Sequence, residues 1–173
     1  VMEMAYFGAK VLHPLAVTPL QEKNIPLRVK SAADPSFAGT LVTAHPKPLK
    51  NAIKAVTAIR NAAIVDIGGA GTVGVPQEVS NIFDVSADGD INVIMISQSS
   101  SMANISLVVQ QSDGRRTIAA LQHHFENSEM IRTFELFEEI AAVAIVGEGM
   151  RGAKGVAAKL FSAVAAEDIN LDM

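Results

Sequence analysis

The sequence predicts an α+β fold in which the order β-α-β-β-α-β occurs once in full and begins a second time. Three observations predict it. Alternating and helical apolar periods follow one another in that order between residues 55 and 138. A glycine-rich turn, GGAGTVG, stands at the first strand-to-helix junction. The stretch Val65 to Met95 also returns 78 positions later as Val143 to Met173, with Gly69, Gly71 and Gly74 in register with Gly147, Gly149 and Gly152. Phe83 meets Phe161, Ile91 meets Ile169 and Asn92 meets Asn170, so one structural unit is expected to be used twice. The pattern is the ferredoxin-like supersecondary order, and the second copy is expected to be incomplete.

The elements follow from local periodicity. Four of the seven prolines (Pro14, Pro19, Pro26, Pro35) cut the first 45 residues into short pieces. Ile25 to Lys30 alternates like a strand, and Gly39 to Val42 starts another after the Asp34-Pro35 loop. Pro46 and Pro48 mark a linker. Ala55 to Ile67 reads as a strand, and Val75 to Val85 as a helix with Val75, Val79, Ile82 and Phe83 on one stripe. Ile91 to Ile96 and Ile105 to Val109 read as strands joined by the polar stretch 97–104, an expected hairpin. A helix is expected from Asp113 or Gly114 to His124, then a strand over Ile131 to Glu138. The second copy supplies a strand at 140–146, a helix at 153–165 and a strand at 169–173. The expected divisions are therefore 1–45, the tail of another domain; 46–139, the first full unit; and 140–173, the start of the second.

Composition narrows the function classes. With 49% hydrophobic residues in 173, the chain can bury a sizeable core. Fourteen basic residues against eighteen acidic give a net charge of −4, which offers nucleic acid no footprint. The apolar run Ile140 to Val146 is far short of the ~20 residues that span a bilayer, and VMEMAYFGAK does not resemble a signal peptide. Without cysteine there are no disulfides or thiolate metal sites, so a cytoplasmic protein is expected. His123 and His124 close a helix without an acidic partner at ligand spacing, and no metal site is expected. Glu135, Glu138 and Glu139 are expected to form a solvated edge, and the seven methionines to fill core gaps.

The glycine turn raises the question of a dinucleotide site, because 69–74 spells GxGxxG between a strand and a helix. That reading needs an acidic residue closing the next strand within a parallel sheet. Ile94 is apolar, and the polar connection after Ile96 points to a hairpin. The free N–H groups of such a turn, at the positive end of a helix dipole, instead suit a small carboxylate. Across from it, Ser97, Gln98, Ser99 and Ser100 offer donors and acceptors for an amino group or a side chain. The plain alternative is a tight turn facing a serine loop.

GAKVLHP (8–14), IPLRVKSAADPSFAGT (25–40), INVIMISQSSS (91–101) and VAIVGEGMRGAKGVAAKLFSAVAAEDINLDM (143–173) together resemble the C-terminal part of an aspartate kinase. The resemblance implies that 1–45 end an amino-acid-kinase catalytic domain and that the rest forms tandem ACT domains, modules that sense amino acids. It implies a parent enzyme that phosphorylates the side chain of aspartate with ATP and magnesium, under feedback by an end product such as threonine or lysine. INVIMISQ resembles the threonine-responsive or bifunctional members.

Carried over by position, Lys10 matches a lysine near the nucleotide phosphates, while His13, a histidine before proline, reads as a capping or packing residue without a catalytic role. Effector contacts match Gly71, Thr72, Gly74, Ile94, Gln98 and Ser99, and in the second copy Gly149, Met150, Gly152 and Asp172. Ser99 stands where a glycine is usual and Met102 where a glutamate is usual. The resemblance further implies self-association through the ACT domains. No catalytic residue, metal or cofactor is expected in this chain, which lacks the phosphate cradle and metal-holding loop that phosphoryl transfer needs. The competing reading is a free-standing amino-acid-binding regulatory subunit, and the kinase-like stretch at 8–42 argues against it.

Overall fold

The structure, a computed structural model, describes residues 1–7, 12–44, 53–69, 76–147, 149–150 and 152–172. The chain divides into two units, Val1–Ala58 with Val143–Asp172, and Ile59–Ala142.

In the first unit proline and glycine decide where elements start and stop. Helix α1 spans Met2–Tyr6 and helix α2 spans Pro14–Glu22. Proline fits the first helical position of α2, where its missing N–H is not needed. His13 is the N-cap: its Nδ1 accepts from the Leu15 amide at 3.3 Å, so of the two roles expected of it, capping or packing, this bond is capping. Strands β1 (Leu27–Val29) and β2 (Thr40–Val42) form an antiparallel pair, Leu27 opposite Val42. Their loop is organised by Asp34, whose Oδ1 accepts from the Ser36 hydroxyl and from the amides of Ser36 and Phe37. The Ser36 hydroxyl is the main reason that the Asp34 carboxyl lies below its usual range. Arg28 Nη1 and Lys30 Nζ donate to the carbonyls of Ala38 and Pro35.

The second unit is built on alternation. Strand β3 spans Ala55–Gly69, helix α3 Pro76–Asp88, β4 Val93–Gln98, β5 Asn104–Gln110, helix α4 Gln111–His124 and β6 Ile131–Val146. The sheet order is β4-β5-β3-β6, the ferredoxin-like arrangement predicted by the periods. Ala63, Val65 and Ile67 of β3 share one buried cluster with Ile105, Leu107 and Val109 of β5, Ile82 and Val85 of α3, and Leu121 of α4. The intervening residues Ala62, Ile64 and Val108 form a second cluster with Ile59, Ile94 and Ile140. Period two in the strands and 3.6 in the helices thus separate the two faces. The buried hydroxyls of Ser86 and Thr117 are satisfied within their helices, by the carbonyls of Ile82 and Asp113 at 2.8 Å.

Several expected boundaries move for identifiable reasons. Ile91 is not the first residue of β4. Its amide instead donates to the Ser86 carbonyl at 2.8 Å, closing α3 behind Asp90 at φ 49°, and its side chain is buried. Strands expected at 131–138 and 140–146 are one strand, which passes through Glu139 at φ 63°. Helix α4 begins at Gln111, and helix α5 covers Val156–Ala166 behind Gly155 at φ 80°. The strand expected at 169–173 is absent over the described residues 169–172, which have no ladder partner among them. Glu138 stays at the solvent-facing edge and is paired there with Arg115.

Candidate functional site

Strand β5 is antiparallel to both β3 and β4, so β3 and β4 run the same way and end on one side of the sheet. Gly68 pairs with Asn104 there, and Ile67, Ile105 and Gln98 form one cross-strand row. Strand β3 reaches its last residue, Gly69, on this side. The antiparallel β4–β5 hairpin is present as predicted. It excludes the crossover that a dinucleotide fold would need at this point.

Gln98 reaches this row through a bulge. Val93 pairs with Val109, and after a register shift Met95 pairs with Val108, so Ile94 is the extra residue. Ile94 joins the cluster on the face away from the helices. The shift returns Ile96 to Leu107 and Gln98 to Ile105, on the side covered by α3 and α4. Without the inserted residue, alternation would turn Gln98 to the opposite face. No feature of VIMISQ announces such an irregularity.

Ser99 serves the hairpin. Its amide donates to the Asn104 carbonyl at 3.1 Å, its Oγ accepts from the Asn104 amide at 3.3 Å, and that Oγ lies 3.1 Å from the Ser101 hydroxyl. Met102 closes the turn by donating to the Ser99 carbonyl at 3.0 Å, with φ at 56°. Two polar groups missed in the sequence reading stand at the same end. A β-carbon at Gly68 would run into Thr133 Oγ1 and approach Asn104 Oδ1 to 3.3 Å. Only pairing partners from β5 and β6 bring those groups to Gly68, so sequence spacing carried no signal.

Lys10, Gly71, Thr72 and Gly74 lie outside the described residues. In the second copy Gly149 and Gly152 have φ of 80° and 86°, with open space where a β-carbon would be. Backbone conformation, not crowding, therefore calls for glycine there. The Met150 carbonyl accepts from the Ala153 amide at 3.0 Å. Asp172 Oδ1 accepts from Asn170 Nδ2 at 2.8 Å, a bond within one exposed segment.

Among the described residues no grouping of His, Asp and Glu is suited to a metal ion. No helix among them is long and apolar enough to cross a membrane. The arrangement at the end of β3 and β4 offers hydrogen bonding to a small polar molecule, and among the described residues no nucleophile with an adjacent base is assembled at it.

Comparison with known proteins gives consistent matches. The chain is 34% identical, over 98% of its length, to the bifunctional aspartokinase/homoserine dehydrogenase of Haemophilus influenzae, of which it covers 21%. It thus spans about a fifth of that relative. It superposes on the aspartate kinase of Clostridium acetobutylicum with a TM-score of 0.86, at 26% identity, over 99% of this chain and 40% of the other. E. coli aspartokinase III in complex with lysine and aspartate gives a TM-score of 0.71 at 29% identity, over 99% of this chain and 37% of that one. The model of the ACT-domain family matches residues 65–125 and 143–173, and its two segments begin where the two sequence copies begin. With that match on both copies and a sheet of order β4-β5-β3-β6, the chain belongs to the ACT-domain family.

Proposed function

We propose that this chain is the amino-acid-sensing regulatory region of an aspartate kinase, joined to the last part of its catalytic domain. The observation that carries the sensing role is the meeting of the ends of β3 and β4 at one side of the sheet. There the backbone of the glycine turn would receive an effector carboxylate, and Gln98 its amino group or side chain. The parent would transfer the γ-phosphoryl of ATP, with magnesium, to the side-chain carboxylate of aspartate. Support for this parent comes from similarity that runs through residues 1–58 as well as the ACT unit, since 98–99% of the chain is matched. Lys10 would contact nucleotide phosphate in the intact enzyme.

The effector we infer is lysine or threonine. Lysine is one of the two ligands, with aspartate, named for E. coli aspartokinase III, and threonine follows from the resemblance of INVIMISQ. The second copy would present a related site at Gly149, Met150, Gly152 and Asp172. Binding becomes regulatory only if the effector prefers one of two conformations of the parent. The test is calorimetric titration of the chain with lysine, threonine and methionine in turn. A side-chain hydrogen bond to a charged group contributes ~1.5–3 kcal/mol, so Gln98→Ala should weaken binding roughly 10- to 100-fold. Unchanged affinity in that variant would remove Gln98 from the site, and no heat with any of the three would remove the sensing role.

We also propose that the chain self-associates through this unit. Strand β4 ends the sheet order, and Met95 and Ile96 on it are 42% and 40% exposed. Phe83 on α3 is 41% exposed. An open edge with apolar side chains is a template for a second strand.

A further inference from the structure

We propose that Arg116 is a positioning residue for the effector site, acting from the far end of the α3–β4 limb; this rests on the sensing role inferred above. Arg115 and Arg116 are neighbours on α4, but they tie that helix to different elements. Arg115 Nη2 meets Glu138 Oε2 of β6 at 3.0 Å. Arg116 reaches 27 residues back to the turn between α3 and β4. Its Nη1 donates to the Gly89 carbonyl at 2.9 Å and its Nη2 to the Asp90 carbonyl at 3.1 Å. Asp113 Oδ1, 3.0 Å from Nη2, holds the guanidinium from the first turn of its own helix.

These bonds complete a turn whose amides are already used. The Gly89 amide donates to Val85 at 3.1 Å and the Ile91 amide to Ser86 at 2.8 Å. What remains is carbonyl oxygen at the negative end of the α3 dipole, and a planar fork of donors satisfies two such groups at once. Asp90 sits at φ 49°, a left-handed conformation that a non-glycine residue keeps only when its surroundings hold it. Two residues beyond buried Ile91, strand β4 begins.

The consequence falls on Gln98. Where α3 ends fixes where β4 starts, and the register of β4, with its bulge at Ile94, decides which face Gln98 takes. Release of the turn would let β4 shift along β5, and the bulge is the point at which such slippage is easiest. A purely stabilising clamp would lower the unfolding midpoint and leave the folded site as it was. A positioning clamp changes affinity in protein that is still fully folded.

The experiment uses the 173-residue chain and compares wild type, Arg116→Met, Arg116→Lys and the control Arg115→Met. Dissociation constants for lysine and threonine are read by calorimetry at a temperature where circular dichroism finds every protein fully folded. Arg116→Met should raise the constant of the bound amino acid about five- to tenfold, a coupling of the size seen for residues remote from a ligand. Arg116→Lys should fall between, and Arg115→Met should match wild type. Wild-type binding with no change in Arg116→Met, or an equal loss in both methionine variants, would overturn the assignment alone. Wild type binding neither amino acid would instead overturn the sensing role, and this inference with it.

Discussion

Gly114 of α4 lies so close to β3 that a β-carbon at its position would stand 3.2 Å from the Cβ of Ala63. Leu136 Cδ1, on the neighbouring strand β6, would be 3.0 Å away. The helix therefore rests on the sheet through backbone at this point, and the absence of a side chain sets their separation. Gly114 is buried in the first turns of α4 although glycine costs a helix about 1 kcal/mol relative to alanine.

Two effects oppose each other in Gly114→Ala. Better helix propensity would add up to about 1 kcal/mol, whereas overpacking costs ~1–3 kcal/mol when neighbours cannot move. The end of Leu136 can rotate, but Ala63 is on a central strand with no rotamer to change. Net loss of about 1 kcal/mol is expected, rising beyond about 2 kcal/mol in Gly114→Val. Urea unfolding of the three proteins checks the order, and a more stable Gly114→Ala would show that the helix can lift.

A second close approach governs the β1–β2 hairpin. Gly39 has φ 72°, and a β-carbon there would collide with the Val29 carbonyl and stand 2.8 Å from Lys30 Cγ. Backbone conformation and space both forbid a side chain, so Gly39→Ala should open the hairpin by ~2 kcal/mol or more locally. Faster proteolysis within residues 30–39, at unchanged overall circular dichroism, is the expected result. Equal cleavage rates would mean that the hairpin contributes no local order.

The Arg115–Glu138 pair predicts a small pH dependence. The Arg115 hydrogen bond, more than its charge, holds the Glu138 carboxyl below its usual range. A lowered folded-state pKa contributes stability that is present above the unfolded value, near 4.3, and is lost as pH falls through the folded value. Glu138→Gln should therefore lower the thermal midpoint slightly at pH 7 and converge on wild type as pH falls through the folded-state value of Glu138. Both groups are solvent-facing, so 1 M salt should remove most of the difference at pH 7. A gap that widens on acidification would contradict this account.

Much of the fold was legible because it rests on period. β3, β5 and the two helices announce their buried faces through residues such as Val65, Ile67, Leu107 and Leu121, and a repeated glycine pattern marks both turns. What escaped depends on contacts between distant segments or on a single inserted residue. Ile91 reads as strand, yet the cap of α3 claims it. Glu139 reads as a break, yet one left-handed residue lets β6 continue. At the site, Gln98 was visible as a polar residue ending a strand, while the bulge that aims it and the approach of Thr133 to Gly68 were not. Ser99 was legible as a donor, but its hydroxyl closes the hairpin, because a serine beside a tight turn finds backbone first.

Self-association supplies the last prediction. After the bulge Ile96 shares the side of the sheet that carries the helices, opposite Leu107, and at 40% exposure it leaves apolar surface at the edge of the order. A second copy meeting this edge would continue the sheet and cover Ile96 together with the exposed Phe83 on α3. Ile96→Lys places a charge where the two copies would meet, a device that natural edge strands use against pairing. The wild-type chain is expected to run as a dimer in light scattering after size exclusion, and Ile96→Lys to associate at least about tenfold more weakly with an unchanged circular dichroism spectrum. Gln98 lies two residues further along β4 on the same side, so an effector held there would sit beside the joint. Lysine or threonine should then shift the association constant as well as bind. A wild-type monomer at every dilution, with or without either amino acid, would leave the β4 edge without a partner.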